Sequence, residues 1–134
     1  MDTTITYKIN VIPAAEAIMD LYKHAGINRA GMDLYRVKTI FENSNLVVSA
    51  WDRFKLVGLA RSVTDFSFCC FLSDLAVRNE YNQVEISRTL IEYTKEKISR
   101  RASILLLSAP PIIDFYPQIG FQKIENGFIA TRIG

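Results

Sequence analysis

The sequence is poor in the residue types that build disulfide frameworks and metal clusters. It has two cysteines and one histidine in 134 residues. Cys69 and Cys70 are adjacent, so in a strand their side chains would point to opposite faces and could not join distant segments. We therefore interpret both as small buried hydrophobic residues and expect no metal site. His24 falls in a predicted surface helix, and we assign it no role.

Long apolar runs and strong charge are also lacking. No apolar run approaches the ~18 residues that a membrane-spanning helix needs, and the first residues have no basic stretch followed by an apolar one. We therefore expect neither membrane insertion nor secretion, which leaves the cytoplasm as the expected location. The formal net charge is only +2, and lysines and arginines are scattered apart from Arg100 and Arg101. This distribution argues against a nucleic-acid partner.

What the chain does have is enough apolar sequence for a full hydrophobic core. Hydrophobic residues make up 49% of it and charged residues 22%. A length of 134 residues is common for one domain. We therefore expect a single domain over residues 1–134.

The stretch from residue 66 to residue 99 organises the rest of the chain. Phe66 to Val77 is a largely apolar run without proline or glycine, which predicts a strand. A polar turn at residues 78–82 follows. Apolar residues then recur every three or four positions from Gln83 to Ser99, which predicts an amphipathic helix. A strand that leads directly into a helix creates an anion-binding position, because the first N–H groups of the helix have no partners within it.

This stretch resembles the acyl-CoA-binding core of the GNAT superfamily of N-acetyltransferases. The matching residues are Asp74-Leu75-Ala76-Val77 at the strand end and the polar turn after it. The glycine-rich part of the family pattern does not match: Asn82 stands at the arginine or glutamine position, and Glu85 and Ser87 stand at the two small-residue positions. Two further segments are similar to the family, Lys55-Leu-Val-Gly-Leu-Ala-Arg61 and Phe115-Tyr-Pro-Gln-Ile-Gly-Phe121.

The order of the predicted elements is the order that the resemblance implies. We predict an α/β fold with a GNAT-like mixed, mostly antiparallel central sheet of about seven strands and four helices. The resemblance adds a splayed parallel pair of strands in the middle of that sheet. The predicted strands are residues 3–12, 46–51, 55–63, 66–77, 103–108, 121–124 and 128–132, and the predicted helices are residues 14–25, 32–43, 83–99 and 112–118.

The resemblance implies acetyl-CoA as a co-substrate, bound where the two parallel strands separate. Backbone groups of Leu75 and Val77 would face the acetyl carbonyl and the pantetheine arm, and amides from Gln83 to Arg88 would hold the pyrophosphate. The residues that we expect to contact acetyl-CoA are Leu75, Ala76, Val77, Asn82, Gln83, Val84, Glu85, Ile86, Ser87, Arg88 and Ser108.

Two side chains are candidates for catalysis. By resemblance, Tyr116 would be the general acid that protonates the departing thiolate of CoA, and a phenol within hydrogen-bonding reach of the sulfur suits that step. The alternative is an aromatic residue that packs a short helix. Asp74 is the candidate general base, with Glu80 or a chain of water molecules as alternatives. A buried Asp74 bonded to loop amides fits the sequence equally well.

The leading hypothesis is an N-acetyltransferase that acts on a primary amine of a small molecule or peptide, without a metal ion. The alternative is a non-catalytic GNAT-fold sensor or interaction module with weakened or lost CoA binding. Glu85 and Ser87 motivate the alternative, because bulk and negative charge at the helix start oppose a dianionic ligand. Arg78 and Arg88 would offset that charge. The resemblance also allows a homodimer.

Overall fold

The computed structural model describes residues 4–27, 32–108 and 110–132. Within them the chain forms five strands, three α-helices and one 3-10 helix, which we label η1. The predicted α/β class, the mixed sheet and the four helices are confirmed. In chain order the elements are β1 (Thr6–Ile9), α1 (Ala15–His24), α2 (Leu34–Glu42), β2 (Leu46–Asp52), β3 (Lys55–Thr64), β4 (Cys69–Val77), α3 (Gln83–Glu96), β5 (Ser103–Leu105) and η1 (Pro110–Ile119).

The sheet has the strand order β1-β2-β3-β4-β5. Neighbouring strands are antiparallel from β1 to β4, and only β4 and β5 run parallel. The parallel pair is joined by α3, as expected for a strand-helix-strand crossover. The predicted mostly antiparallel sheet is therefore confirmed.

Two hydrophobic clusters fill the two faces of the sheet. The first packs α1 and α2 on one face, and its largest fully buried members are Phe41, Ile18, Leu21 and Leu59. The second packs α3 and η1 on the other face, where Leu72, Leu90, Ile91 and Ile119 are buried. The sheet thus separates two helical layers, and α3 and η1 share one of them.

Gly58 of β3 allows α3 to lie close to the sheet. A Cβ at this position would meet Ile86 Cγ2 at 3.1 Å, Ala50 Cβ at 3.3 Å and Leu90 Cδ1 at 3.3 Å. Separations this short are tighter than ordinary packing, so a side chain here would require Ile86, Leu90 or Ala50 to shift by a few tenths of an ångström. The absence of a side chain therefore helps to set the position of α3.

The prediction of about seven strands was wrong, because the residues that the structure describes form five. Residues 121–124 and 128–132, predicted as a hairpin, are not strands, and Phe128 is 100% exposed. A hairpin needs a sheet edge that it can extend, and the neighbouring edge, β5, is only three residues long. The parallel pair consequently lies at the edge of the sheet and not in its middle.

Several boundaries also differ from the prediction. The core strand begins at Cys69 and not at Phe66, because the Asp65 carboxylate accepts hydrogen bonds from the N–H groups of residues 67, 68 and 69 and holds them in a turn. The strand at residues 103–108 ends at Leu105, and the helix from Gln83 ends at Glu96. The first strand is Thr6–Ile9; its predicted start, Thr3, lies outside the described residues.

No helix formed by the described residues is both long enough and apolar enough to cross a membrane.

Candidate functional site

The parallel strands β4 and β5 are paired only at their beginnings. Three residue pairs form their ladder: Cys69 with Ser103, Cys70 with Ile104 and Phe71 with Leu105. β4 then continues to Val77, whereas the chain after Leu105 leaves the strand conformation. From residue 72 to residue 77, β4 is paired with β3 only. The side of β4 that faces away from β3 is therefore without a ladder partner there, and we call this region the β4 gap.

Backbone groups of Leu75 and Val77 point into the β4 gap. The N–H of Arg78 donates to Val57 O of β3 at 2.9 Å. Because backbone groups alternate in direction along a strand, those of residues 77 and 75 must point away from β3. The carbonyl of Val77 accepts a hydrogen bond of 3.1 Å from the Gln83 side chain. The main chain of both residues thus points to the side of β4 that has no ladder partner, and their contact with an acyl group stays a prediction.

A β-bulge at Ser73 sets this orientation. Arg61 of β3 pairs with Asp74, but the next residue, Ser62, pairs with Leu72, so Ser73 is an extra residue in β4. Leu72 packs in the cluster beneath α3, while Asp74 reaches Tyr22 of α1 on the opposite face. The extra residue therefore inverts the alternation of side chains and backbone groups from residue 74 onward.

The N-terminus of α3 is capped by its own residues. Asn82 Oδ1 accepts a hydrogen bond from the Glu85 N–H at 3.1 Å, and Asn82 Nδ2 lies 3.2 Å from Glu85 Oε2. The N–H of Ile86 is bonded to the Asn82 carbonyl. None of these bonds uses the N–H groups of Gln83 and Val84, which are therefore open to other partners. An anion at this helix start would meet those two donors and the exposed Glu85 carboxylate.

The remaining residues of the first α3 turns face in different directions. Ile86 and Ser87 are buried, with 4% and 3% of their surfaces exposed. Val84 is half-buried against the core beneath α3. The exposed Arg88 donates from Nη2 to the Gln118 carbonyl at 3.1 Å, which ties α3 to η1. The side chains of Val84, Ile86 and Ser87 therefore pack in the fold, and that of Arg88 bonds α3 to η1. An anion at the helix start would consequently contact backbone N–H groups.

Arg78 does not lie beside Glu85. Its Nε donates to Leu56 O at 2.7 Å and its Nη2 to Asp20 Oδ2 of α1 at 2.6 Å. Only 5% of Arg78 is exposed. The hydrogen bond from Arg78 lowers the pKa of the Asp20 carboxyl. The expectation that Arg78 would offset the Glu85 charge was therefore wrong, because its guanidinium is used to fasten the turn to α1.

Asp74 sits in a buried polar network. Its Oδ2 accepts hydrogen bonds of 2.6 Å from both Tyr22 OH and Arg61 Nε. Only 1% of Asp74 and 8% of Arg61 are exposed. The carboxylate thus lies on the α1 side of the sheet, against a fixed cation. These contacts resemble the structural alternative for Asp74, although they differ from it in that the partners are side chains and not loop amides.

Tyr116 lies in η1 and is half-buried. Its ring packs edge to face with Phe115, with ring centres 5.4 Å apart, and with Phe121, with ring centres 5.9 Å apart. Its hydroxyl has no hydrogen-bond partner among the residues that the structure describes, and burial raises the pKa of the phenol. The phenol therefore has a hydrogen that no described neighbour uses.

Ser108, the last predicted contact, is half-buried and lies three residues after the end of β5. Ser108 and Tyr116 both follow β5 in the chain. Leu75 and Tyr116 both pack against the cluster beneath α3. Asp74 is separated from them by the sheet itself.

The sequence reasoning missed Arg61 and Tyr22 as members of the network around Asp74. A signal was present: Arg61 is a cation inside an otherwise apolar strand, and such a residue is seldom buried without an acidic partner. Tyr22 could not be identified, because nothing in the order of residues brings α1 against β4. Among the described residues, no group of three or more His, Cys, Asp or Glu side chains could hold a metal ion.

The protein family and the relative that this chain matches are both described as acetyltransferases. Residues 18–133 match the family model described as an acetyltransferase (GNAT) domain. The chain is 25% identical over 100 residues to an uncharacterized N-acetyltransferase, ycf52, of Pyropia yezoensis; the match covers 70% of this chain and 58% of that relative. The chain therefore spans a little over half the length of that protein.

Solved structures share the fold. A Staphylococcus aureus protein described as a probable acetyltransferase is 21% identical, with a TM-score of 0.76 and 99% of both chains covered. An aminoglycoside N-acetyltransferase, AAC(6')-Iy, solved in complex with CoA, is 13% identical, with a TM-score of 0.71 and coverage of 98% of this chain and 97% of that one.

Proposed function

This chain belongs to the GNAT acetyltransferase family, and we propose that it transfers an acetyl group from acetyl-CoA to a primary amine of a small molecule or peptide. The observation that carries the proposal is the β4 gap. A strand whose backbone groups at Leu75 and Val77 face an unpaired region offers hydrogen-bond partners to a thioester. The family uses acetyl-CoA, and we assign its acyl end to the gap.

The backbone of β4 would act on the acetyl group. An N–H directed at the thioester oxygen stabilises the negative charge that develops there as the amine attacks, an effect that is commonly worth several kcal/mol. This role asks little of side chains, so Leu75, Ala76 and Val77 suit it. Ser108 would line the opposite side of the gap.

The start of α3 would hold the pyrophosphate. The N–H groups of Gln83 and Val84, together with the positive end of the helix dipole, support an anion. The N–H groups of Glu85 and Ile86 are already bonded to Asn82, so within the proposed contact range of residues 82–88 we assign the donor role to Gln83 and Val84. Glu85 weakens the site by placing a carboxylate beside it.

Tyr116 would donate the proton that the departing thiolate needs. Its phenol is not bonded to any described neighbour, and burial raises its pKa. For the proton that the amine loses, the contacts of Asp74 favour a structural role, so we propose that water molecules at the gap accept it.

A second candidate function rests on the cap of α3. Because Asn82 and Glu85 bond each other across the first turn, CoA would have to compete with a carboxylate that the helix dipole already stabilises. The chain would then be a sensor or interaction module with weakened or lost CoA binding.

The amine acceptor, the homodimer and the cytoplasmic location stay predictions.

Calorimetric titration with acetyl-CoA separates the two functions. The transferase requires saturable binding below millimolar ligand and acetyl transfer to at least one member of an amine panel. Absence of binding at millimolar acetyl-CoA contradicts the transferase and is the result expected of a module that has lost CoA binding, and weak binding without transfer favours a sensor.

Replacement of Tyr116 by Phe tests the proposed acid. We expect kcat to fall about 100-fold or more, the usual range for a lost general acid, with little change in acetyl-CoA affinity or folding stability. Tyr35→Phe is the matched control, because Tyr35 is 80% exposed on α2. Equal activity of Tyr116→Phe and the wild type would remove the assigned role.

A further inference from the structure

Arg61 bonds three side chains from two different parts of the chain. Its Nε donates to Asp74 Oδ2 at 2.6 Å, its Nη2 to Ser73 Oγ at 2.7 Å and its Nη1 to Ser44 Oγ at 2.9 Å. Ser44 follows the end of α2, and Ser73 and Asp74 belong to β4. The guanidinium also lies over the Phe41 ring, 5.6 Å from its centre. All three nitrogens of this buried group are therefore engaged.

Two of these contacts fall on the bulge. Ser73 is the extra residue of β4, and Asp74 is the first residue after it, directly opposite Arg61 in the ladder. A β-bulge leaves its extra residue without a ladder partner, so a side-chain contact can stabilise this residue where the ladder does not. Arg61 supplies that contact from the neighbouring strand. Tyr22 holds the Asp74 carboxylate from α1 at the same time.

The bulge decides which backbone groups face the β4 gap. In a regular strand, Leu72, Asp74 and Ala76 would share one face, and the backbone groups of residues 74 and 76 would point the way those of 75 and 77 now do. Asp74 would then face the apolar cluster beneath α3, where a carboxylate is costly. Loss of the bulge would therefore place the Asp74 carboxylate among apolar side chains. It would also turn the backbone groups of Leu75 and Val77 away from the gap.

We propose that Arg61 is a positioning residue whose simultaneous contacts with Ser73 and Asp74 fix the β4 bulge and so direct the backbone groups of Leu75 and Val77 into the gap. The role in acyl binding rests on the proposed function, whereas the role in shaping β4 does not. Arginine suits it because a planar guanidinium presents several donors in a fixed arrangement, which an ammonium does not.

The sharpest test compares two serine variants that each remove one hydrogen bond from Arg61. Ser73→Ala removes the bond between Arg61 and the bulge, together with a long contact of 3.5 Å from Ser73 Oγ to Asp74 Oδ1. Ser44→Ala removes the bond between Arg61 and the residues after α2, together with the bond of 2.7 Å that Ser44 Oγ donates to Ile40 O. Amide hydrogen exchange is measured at Asp74 and Ala76, whose N–H groups alternation directs to β3, and at Val48 in β2 as a reference for global opening. We expect exchange at Asp74 and Ala76 to rise about tenfold or more over the reference in Ser73→Ala, the usual effect of losing a hydrogen bond to a charged group.

Two control variants separate the bond at the bulge from the other contacts of Arg61. Ser44→Ala should change exchange at Asp74 and Ala76 by no more than at Val48, and Ser73→Thr, which keeps a hydroxyl, should restore wild-type exchange. Equal exchange in the two alanine variants would overturn the proposal. Wild-type exchange in Ser73→Ala would overturn it as well.

Acetyl-CoA titration of the same variants tests the functional part. Ser73→Ala should bind at least about tenfold more weakly than Ser44→Ala, with a rise in KM that exceeds any fall in kcat. Equal affinity in the two variants would refute the role in acyl binding. If the wild type does not bind acetyl-CoA, the transferase proposal fails, and hydrogen exchange alone still decides whether Arg61 fixes the bulge.

Discussion

Removal of the Asp74 charge should cost far more stability than a surface change, because Asp74 and Arg61 are partners in a buried ion pair. The side chains are 0% and 9% exposed, and the closest N–O distance is 2.6 Å. In Asp74→Asn, Arg61 would keep a buried positive charge without its counter-charge, and loss of one partner of such a pair typically costs about 3–5 kcal/mol. For a chain of this size that corresponds to a fall in Tm of roughly 10–20 °C.

Chemical denaturation of the wild type and the variant measures this loss, with Asp114→Asn in η1 as the exposed control. Substitution of both partners, as in Arg61→Met with Asp74→Leu, should recover much of the loss, because an apolar pair of similar volume needs no counter-charge. The reasoning is refuted if Asp74→Asn loses less than about 1 kcal/mol while its turnover falls by two orders of magnitude or more. That combination is the behaviour of a catalytic base.

Three further predictions concern the helix start, the turn before β4 and the sheet. Glu85→Gln should bind acetyl-CoA up to about fivefold more tightly, since an exposed like charge is worth about 1 kcal/mol or less, and Glu92→Gln should bind like the wild type; calorimetry decides. Hydrogen bonds from backbone N–H groups lower the pKa of Asp65 to about 2; the bond from residue 68 contributes most, followed by those from residues 69 and 67. Its contribution to stability is therefore complete above pH 4 and disappears as the pH falls through 2. In denaturation experiments Asp65→Asn should be less stable than the wild type at pH 6, and the difference should disappear below pH 2. Gly58→Ala should lose about 1–3 kcal/mol by overpacking against α3, whereas Gly127→Ala, with its nearest atom at 3.8 Å, should be nearly neutral in the same measurement.

The order of elements could be predicted because apolar periodicity distinguishes helix from strand over residues 14–105. The strand ends could not, since they depend on single side chains. Asp65 holds three N–H groups in a turn that an apolar strand pattern does not reveal. The last hairpin failed for a different reason: residues 121–132 have strand-forming composition, but strand formation requires a pairing edge that only tertiary structure can supply.

The candidate site was predictable where it depends on the backbone and not where it depends on side-chain direction. The strand end at Leu75 and Val77 and the helix start at Gln83 lie where the sequence indicated. The direction of Asp74 could not be predicted, because one extra residue at Ser73 inverts the alternation of the strand. Arg78 was misread for a similar reason: its position in the turn was correct, but its side chain reaches α1 and not α3.

The central claim is that the β4 gap receives the acyl end of acetyl-CoA. Amide chemical shifts followed during a titration with acetyl-CoA test it most directly. The account predicts saturable changes at Leu75 and Val77 together with changes at Gln83 and Val84. Changes confined to other elements, or none up to millimolar ligand, would contradict it.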